Sequence, residues 1–220
     1  MNTLRFILNI RPFLFVSIVL ILSGCIEIVE DITIHNDKSG TFQYRIETSQ
    51  GGSFLQNLTR LIDVSVEDQF RFEAEKFISE LETQPGISNI HYNLNGRSGS
   101  YFLQFDFSDY KSFNNTLYAI NGSKKTIFTP GYIKIGKSRF KKINLSPWLK
   151  MYIEKEHIEF PSPLLGDMIT YKAIVHVPDE INRIKPGDTF IDRSQRKTIQ
   201  QFRFKDILEG KVNTGIKIRY

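Results

Sequence analysis

The sequence predicts an α+β fold: an antiparallel sheet with about three helices packed on one face. Three observations predict it. Tyr101, Leu103, Phe105 and Phe107 alternate with Gln104 and Asp106, and Ile169, Tyr171, Ala173, Val175 and Val177 alternate in the same way, which is the period of half-buried strands. Phe70, Ala74, Phe77, Ile78 and Leu81 recur at helical spacing and make one apolar stripe. Asn36-Asp37-Lys38-Ser39-Gly40 supplies turn residues between two alternating runs, the signature of a hairpin.

Taken in chain order, Ile26–His35 and Thr41–Thr48 are the arms of that hairpin. Ser53 can cap a helix whose stripe is Phe54, Leu55, Leu58, Leu61 and Ile62. Ser65-Val66-Glu67-Asp68 resembles a capping box for the next helix, and Pro85-Gly86 stops it. Ile87–Leu94 and Tyr101–Phe107 read as strands joined at Gly96–Gly99. Ser108 or Asp109 caps a third helix with Tyr110, Phe113, Leu117 and Ile120 on one face, ended by Asn121-Gly122. Short strands follow at Ile127–Phe128, Tyr132–Ile135 and Arg139–Leu145. Pro147–Glu154 fits either a short helix or an extended segment. Ile169–Val177, Thr189–Asp192, Thr198–Phe204 and Val212–Tyr220 complete the strands. The aromatic stripes leave two outcomes open for the interior: a solid core, or imperfect closure with a lipid-sized groove.

With 220 residues the chain is sized for one domain with a real core. Hydrophobic residues make up 40% and aromatics 13%, which excludes a disordered chain. A single cysteine excludes a disulfide framework and any multi-cysteine metal site. The net charge of +5 is modest, but it is unevenly spread.

The N-terminus is the most specific part. Arg5 and Arg11 are the sole charges before Glu27, and Phe13–Leu22 is apolar except for Ser17. That run has the length of a signal-peptide core and is too short to span a bilayer, which takes about 20 residues. Leu22-Ser23-Gly24-Cys25 follows directly. In this order of basic, apolar and LSGC elements the chain resembles the bacterial lipoprotein precursors. The resemblance implies that Leu22, Ser23 and Gly24 are read by the signal peptidase and that residues 1–24 are removed. It implies that Cys25 carries the lipid and that 25–220 is a single domain in the cell envelope, on the outer or the cytoplasmic membrane. Several acyl chains anchor stably where one is marginal.

The familiar catalytic patterns G-x-S-x-G, H-E-x-x-H, G-x-G-x-x-G and the P-loop are absent, and no cofactor or metal is expected. Asp106, Asp109 and His176 are the candidates for acid–base chemistry, each with a plainer reading as a helix cap or an outward strand residue. Charge is more informative. Residues 123–153 contain no Asp or Glu, and Lys134, Lys137, Arg139, Lys141 and Lys142 form a candidate membrane-facing patch. Such a patch gains about 1 kcal/mol per Lys or Arg near anionic headgroups. Nucleic acid is not an expected partner, because the anchor places the chain outside the cytoplasm.

Beyond the N-terminus the layout resembles the LppM family of lipoproteins. The shared features are Cys25 followed by a strand, the Asp37–Gly40 turn, the aromatic strand Tyr101–Phe107 leading into the helix from Asp109, and a late strand ending Val177-Pro178. The family carries a C-terminal transmembrane helix, and no such segment follows Val177 here. The resemblance implies a helix-on-sheet domain associated with lipid or glycolipid. The expectation is therefore a non-enzymatic, lipid-anchored envelope protein binding an amphipathic ligand or a partner protein. The alternative is an envelope hydrolase using Asp106, Asp109 and His176.

Overall fold

The structure, a computed structural model, describes residues 26–48, 74–94, 100–120, 130–147, 149–150, 163–186, 190–192 and 196–220. The lipobox residues Leu22 to Cys25, the helix expected from Phe54 to Ile62, the capping box at Ser65 and the strand at Ile127 lie outside them.

The hairpin forms as expected. β1 (Ile26–Ile34) pairs antiparallel with β2 (Gly40–Thr48), from Ile26 opposite Thr48 to Ile34 opposite Gly40. Its loop closes through the His35 N–H donating to the Ser39 carbonyl at 2.9 Å, with Lys38 at a left-handed φ of 72°. Gly40 is required because a Cβ there would overlap the Thr33 carbonyl oxygen and the Phe107 ring. Residues 74–82 are helical (α1) and end in a turn before Gly86, whose φ of 78° suits glycine. β3 (Ile87–Asn93) and β4 (Ser100–Phe107) follow, then α2 (Tyr110–Ile120), β5 (Ile133–Ile135) and β6 (Arg139–Lys142). After α3 (Pro163–Met168) come β7 (Ile169–His176), β8 (Arg183–Lys185), β9 (Phe190–Asp192), β10 (Lys197–Arg203), α4 (Phe204–Leu208) and β11 (Ile216–Arg219).

The α+β class holds, but the single antiparallel sheet does not. Seven strands form one sheet in the order β3-β4-β2-β1-β7-β10-β9, in which β1 and β7 run parallel. A parallel neighbour needs a long crossover, and everything from β2 to α3 lies between these two strands. The remaining strands form a second, antiparallel sheet, β5-β6-β11-β8. The cover on the large sheet is therefore α1, α2 and this small sheet together, rather than helices alone.

One continuous core joins these layers. Ile32, Phe42, Phe105, Phe107 and Val175 from the large sheet meet Phe140, Ile133, Ile216 and Ile218 from the small one, with Leu81 and Phe113 from the helices. Phe113 is fully buried, and its ring centroid lies 5.1–6.1 Å from those of Phe42, Phe105, Phe107 and Tyr132. Asp109 caps α2 as expected, its carboxylate accepting from the N–H groups of Lys111 at 2.6 Å and Ser112 at 2.9 Å. The buried Asn114 then bonds the edge of β5, donating to the Ile133 carbonyl at 2.8 Å and accepting from its N–H at 3.0 Å. A side-chain amide thus covers an open strand edge and locks helix to sheet. At one edge of the large sheet, β3 bulges between Ser88 and His91, with Asn89 at φ 51°. Such a bulge blunts an edge strand against pairing with another chain.

Candidate functional site

The first candidate is an apolar groove. The core-facing side of the large sheet is not covered evenly. Phe105 and Phe107 are buried under Phe113, but the neighbouring pairs Tyr44–Leu103 and Ile46–Tyr101 are half-buried. α1 approaches these pairs with Ala74, Phe77 and Ile78, leaving an open groove of about 310 Å³. Helix and sheet each supply the stripe the sequence predicts, and they do not close on one another. Among the described residues that line the groove none is charged, so the lining suits an apolar chain.

The three residues considered for hydrolysis stay apart. Asp106, on the solvent side of β4, accepts from Thr41 Oγ1 at 2.6 Å and from Asn89 Nδ2 at 2.8 Å. His176 Nε2 pairs with Asp31 at 3.3 Å. Register places Asp106, Thr41, Thr33 and His176 in one cross-strand row, three strand spacings end to end. That is about 14 Å, beyond hydrogen-bond reach. Asp109 is occupied as the helix cap.

A buried polar cluster ties the two sheets together. Glu30 on β1 accepts at Oε2 from the hydroxyls of Tyr132 and Tyr171, both at 2.5 Å, and at Oε1 from Lys142 Nζ at 3.2 Å. Lys142 also donates to the Tyr171 hydroxyl at 2.8 Å. Burial pushes both tyrosine hydroxyls well above the ordinary value of 10.0, and the Glu30 charge adds to it. Tyr44, cross-strand from Glu30, is pushed up to about 12 by the same two causes in the same order. Burial lowers Lys142, and Glu30 opposes that shift. Every charge in the cluster has a protein partner, so it holds structure together and has no open position for a substrate.

Lys142 is therefore a correction to the predicted basic patch. In β6 side chains alternate, so Lys141 points to solvent while Lys142 points inward to Glu30 and is 1% exposed. Lys134, Lys137, Arg139 and Lys141 are exposed on the outer side of the small sheet. They have company that the linear sequence hides. β11 adds Lys217 and Arg219, and β8 adds Arg183 and Lys185, all exposed. An alternation of Lys or Arg with Ile in both strands is the signal that marks them.

No protein-family model and no curated protein matches the chain. Among solved structures, the NMR structure of the folded domain of Mycobacterium tuberculosis LppM is similar over 90% of this chain and 91% of that one. The identity is 14% and the TM-score 0.36. A likeness at that level leaves the site to be argued from its own geometry. Among the described residues no helix is long and apolar enough to cross a membrane, and no group of three or more His, Cys, Asp or Glu is placed to hold a metal.

Proposed function

We propose that this is a lipid-anchored cell-envelope protein whose domain, residues 25–220, binds the apolar portion of an amphipathic molecule without acting on it. The observation that carries the reading is the groove between α1 and the β2–β4 face. Its lining of Tyr44, Phe77, Tyr101 and Leu103 offers burial at roughly 25 cal/mol per Å² of apolar area, with no charged group among the described residues. The ordered basic, apolar and LSGC elements at the N-terminus support the anchor at Cys25 and the removal of residues 1–24.

The test has two arms on protein isolated from its own membranes. Mass spectrometry of the N-terminal peptide should find an acylated Cys25, and a free thiol on a longer chain would overturn the anchor. Lipid extracted from the purified protein should fall several-fold in an Ala74→Trp variant, whose indole fills the groove. Equal lipid in both proteins would overturn the ligand site.

A further inference from the structure

The outer side of the small sheet carries a lattice of positive charge. Register sets Lys134, Lys141, Lys217 and Lys185 directly opposite one another across all four strands. Arg139, Arg219 and Arg183 form a second row across β6, β11 and β8. The strands stand about 4.8 Å apart, and the rows are two residues apart along each strand, about 6.7 Å. Among the described residues no carboxylate lies within ion-pair distance of any of these seven. Like charges directly opposite one another destabilise a sheet. The arrangement is therefore a cost to the fold that a bound polyanion would relieve.

We propose that this face binds a linear polyanion carrying phosphate groups, laid along the track between the lysine row and the arginine row. Three features select that occupant. First, Lys134, Lys137, Lys141 and Lys217 line one open concavity of about 650 Å³ together with Arg139 and Arg219. A chain can enter such a trough, whereas a bilayer surface rests on its rim. Second, the outward positions of all four strands are Lys or Arg, with no apolar or aromatic side chain among them. A face that lies in a membrane interface uses Trp, Phe or Leu beside its cations, and one that holds single-stranded nucleic acid uses aromatics to stack the bases. Third, arginines beside lysines suit phosphate, because guanidinium engages two oxygens at once while ammonium supplies a point charge. The face lies on the small sheet, away from the groove, and does not depend on the anchor.

Inorganic polyphosphate is the probe, added to the full-length protein held in neutral phosphatidylcholine nanodiscs. Binding should weaken steeply with salt. Six neutralised phosphates give a log–log slope of about −4, from roughly −0.7 per phosphate on a flexible strand. A Lys141→Glu/Lys217→Glu variant should lose at least tenfold in affinity, while Lys111→Glu on α2 binds as the wild type does. The melting temperature of the double variant without ligand should be equal to or above that of the wild type, since the repulsions of Lys134 with position 141 and of Lys185 with position 217 become attractions and only the 141–217 pair stays like-charged; this separates lost binding from lost fold. Polyphosphate bound no better than orthophosphate would overturn the proposal, as would an unaffected double variant. So would tighter binding of phosphatidylglycerol nanodiscs, which makes the face a membrane-docking surface, or tighter binding of a single-stranded oligonucleotide.

Discussion

Glu30 shows how much depends on one side chain. It sits in the middle of β1 at a position where the strand pattern calls for an apolar residue, and it faces the core between Ile28 and Ile32. Buried charge survives there because both oxygens are occupied, by two tyrosine hydroxyls and by Lys142 from the other sheet. Removing one partner of a buried pair leaves the other charge without compensation and costs about 3–5 kcal/mol, whereas replacing both with apolar groups is often neutral or stabilising. Glu30→Leu should therefore lower stability by that amount in urea unfolding. The Glu30→Leu/Lys142→Met double variant should regain most of it, apart from the tyrosine hydroxyls left unpaired. Equal losses in the single and the double variant would show that the pair contributes nothing as a pair.

Among elements, α2 is the clearest case of local sequence setting local structure. Its apolar face follows from Tyr110 to Ile120, the sequence leaves its cap between Ser108 and Asp109 and the structure gives it to Asp109, and its packing then follows from Phe113. Asp109→Ala should cost about 1 kcal/mol by removing both carboxylate hydrogen bonds to the first turn. Hydrogen exchange should show faster opening of α2 and of β5, because Asn114 couples them. The hairpin β1–β2, the aromatic strand β4 and the strand β7 are as legible, since alternation and turn chemistry act over neighbouring residues. Partner choice is not. Nothing in Ile26–Ile34 or Ile169–His176 states that they pair in parallel. Three strands of the small sheet, β5, β6 and β11, lie inside runs that read as strands, whereas β8 has only three residues, too few for a periodic signal, and nothing local states that the four form a sheet of their own. The same limit hid the cationic lattice. Residues 134–142 show a basic stretch, but the charges of β8 and β11 join it through register alone, and Lys142 leaves it through alternation. α3 and α4 are a single turn or so, with no stripe to read. The groove was half legible: both stripes that line it were visible, while whether they close depends on the distance at which α1 packs.

At the scale of the molecule, the apolar interior comprises a large cluster between the two sheets and a smaller one around Tyr171, Ala173 and Ile207, and the Glu30 cluster is where a polar contact links the two sheets. Its tyrosines give the whole fold a pH dependence of defined sign. Tyr132 and Tyr171 keep their protons in the folded state well above the ordinary value of 10.0, because burial and then Glu30 disfavour the phenolate. In the unfolded chain they titrate at that ordinary value. Their contribution is thus complete below pH 10 and is lost as pH rises towards the folded-state values, at about 1.4 kcal/mol per pH unit for each tyrosine. Lys142 acts in the opposite sense, since burial lowers it from 10.5, so its effect ends once the unfolded chain has lost that proton. Above that point the tyrosines act alone among these three. The urea midpoint should hold to about pH 9 and fall clearly by about pH 11. In Tyr171→Phe the fall should be shallower by one tyrosine's share, although the variant starts less stable for want of a donor to Glu30. A midpoint unchanged through about pH 11 would mean that the hydroxyls reach solvent in the folded protein, and that the cluster is not the closed link between sheets described here.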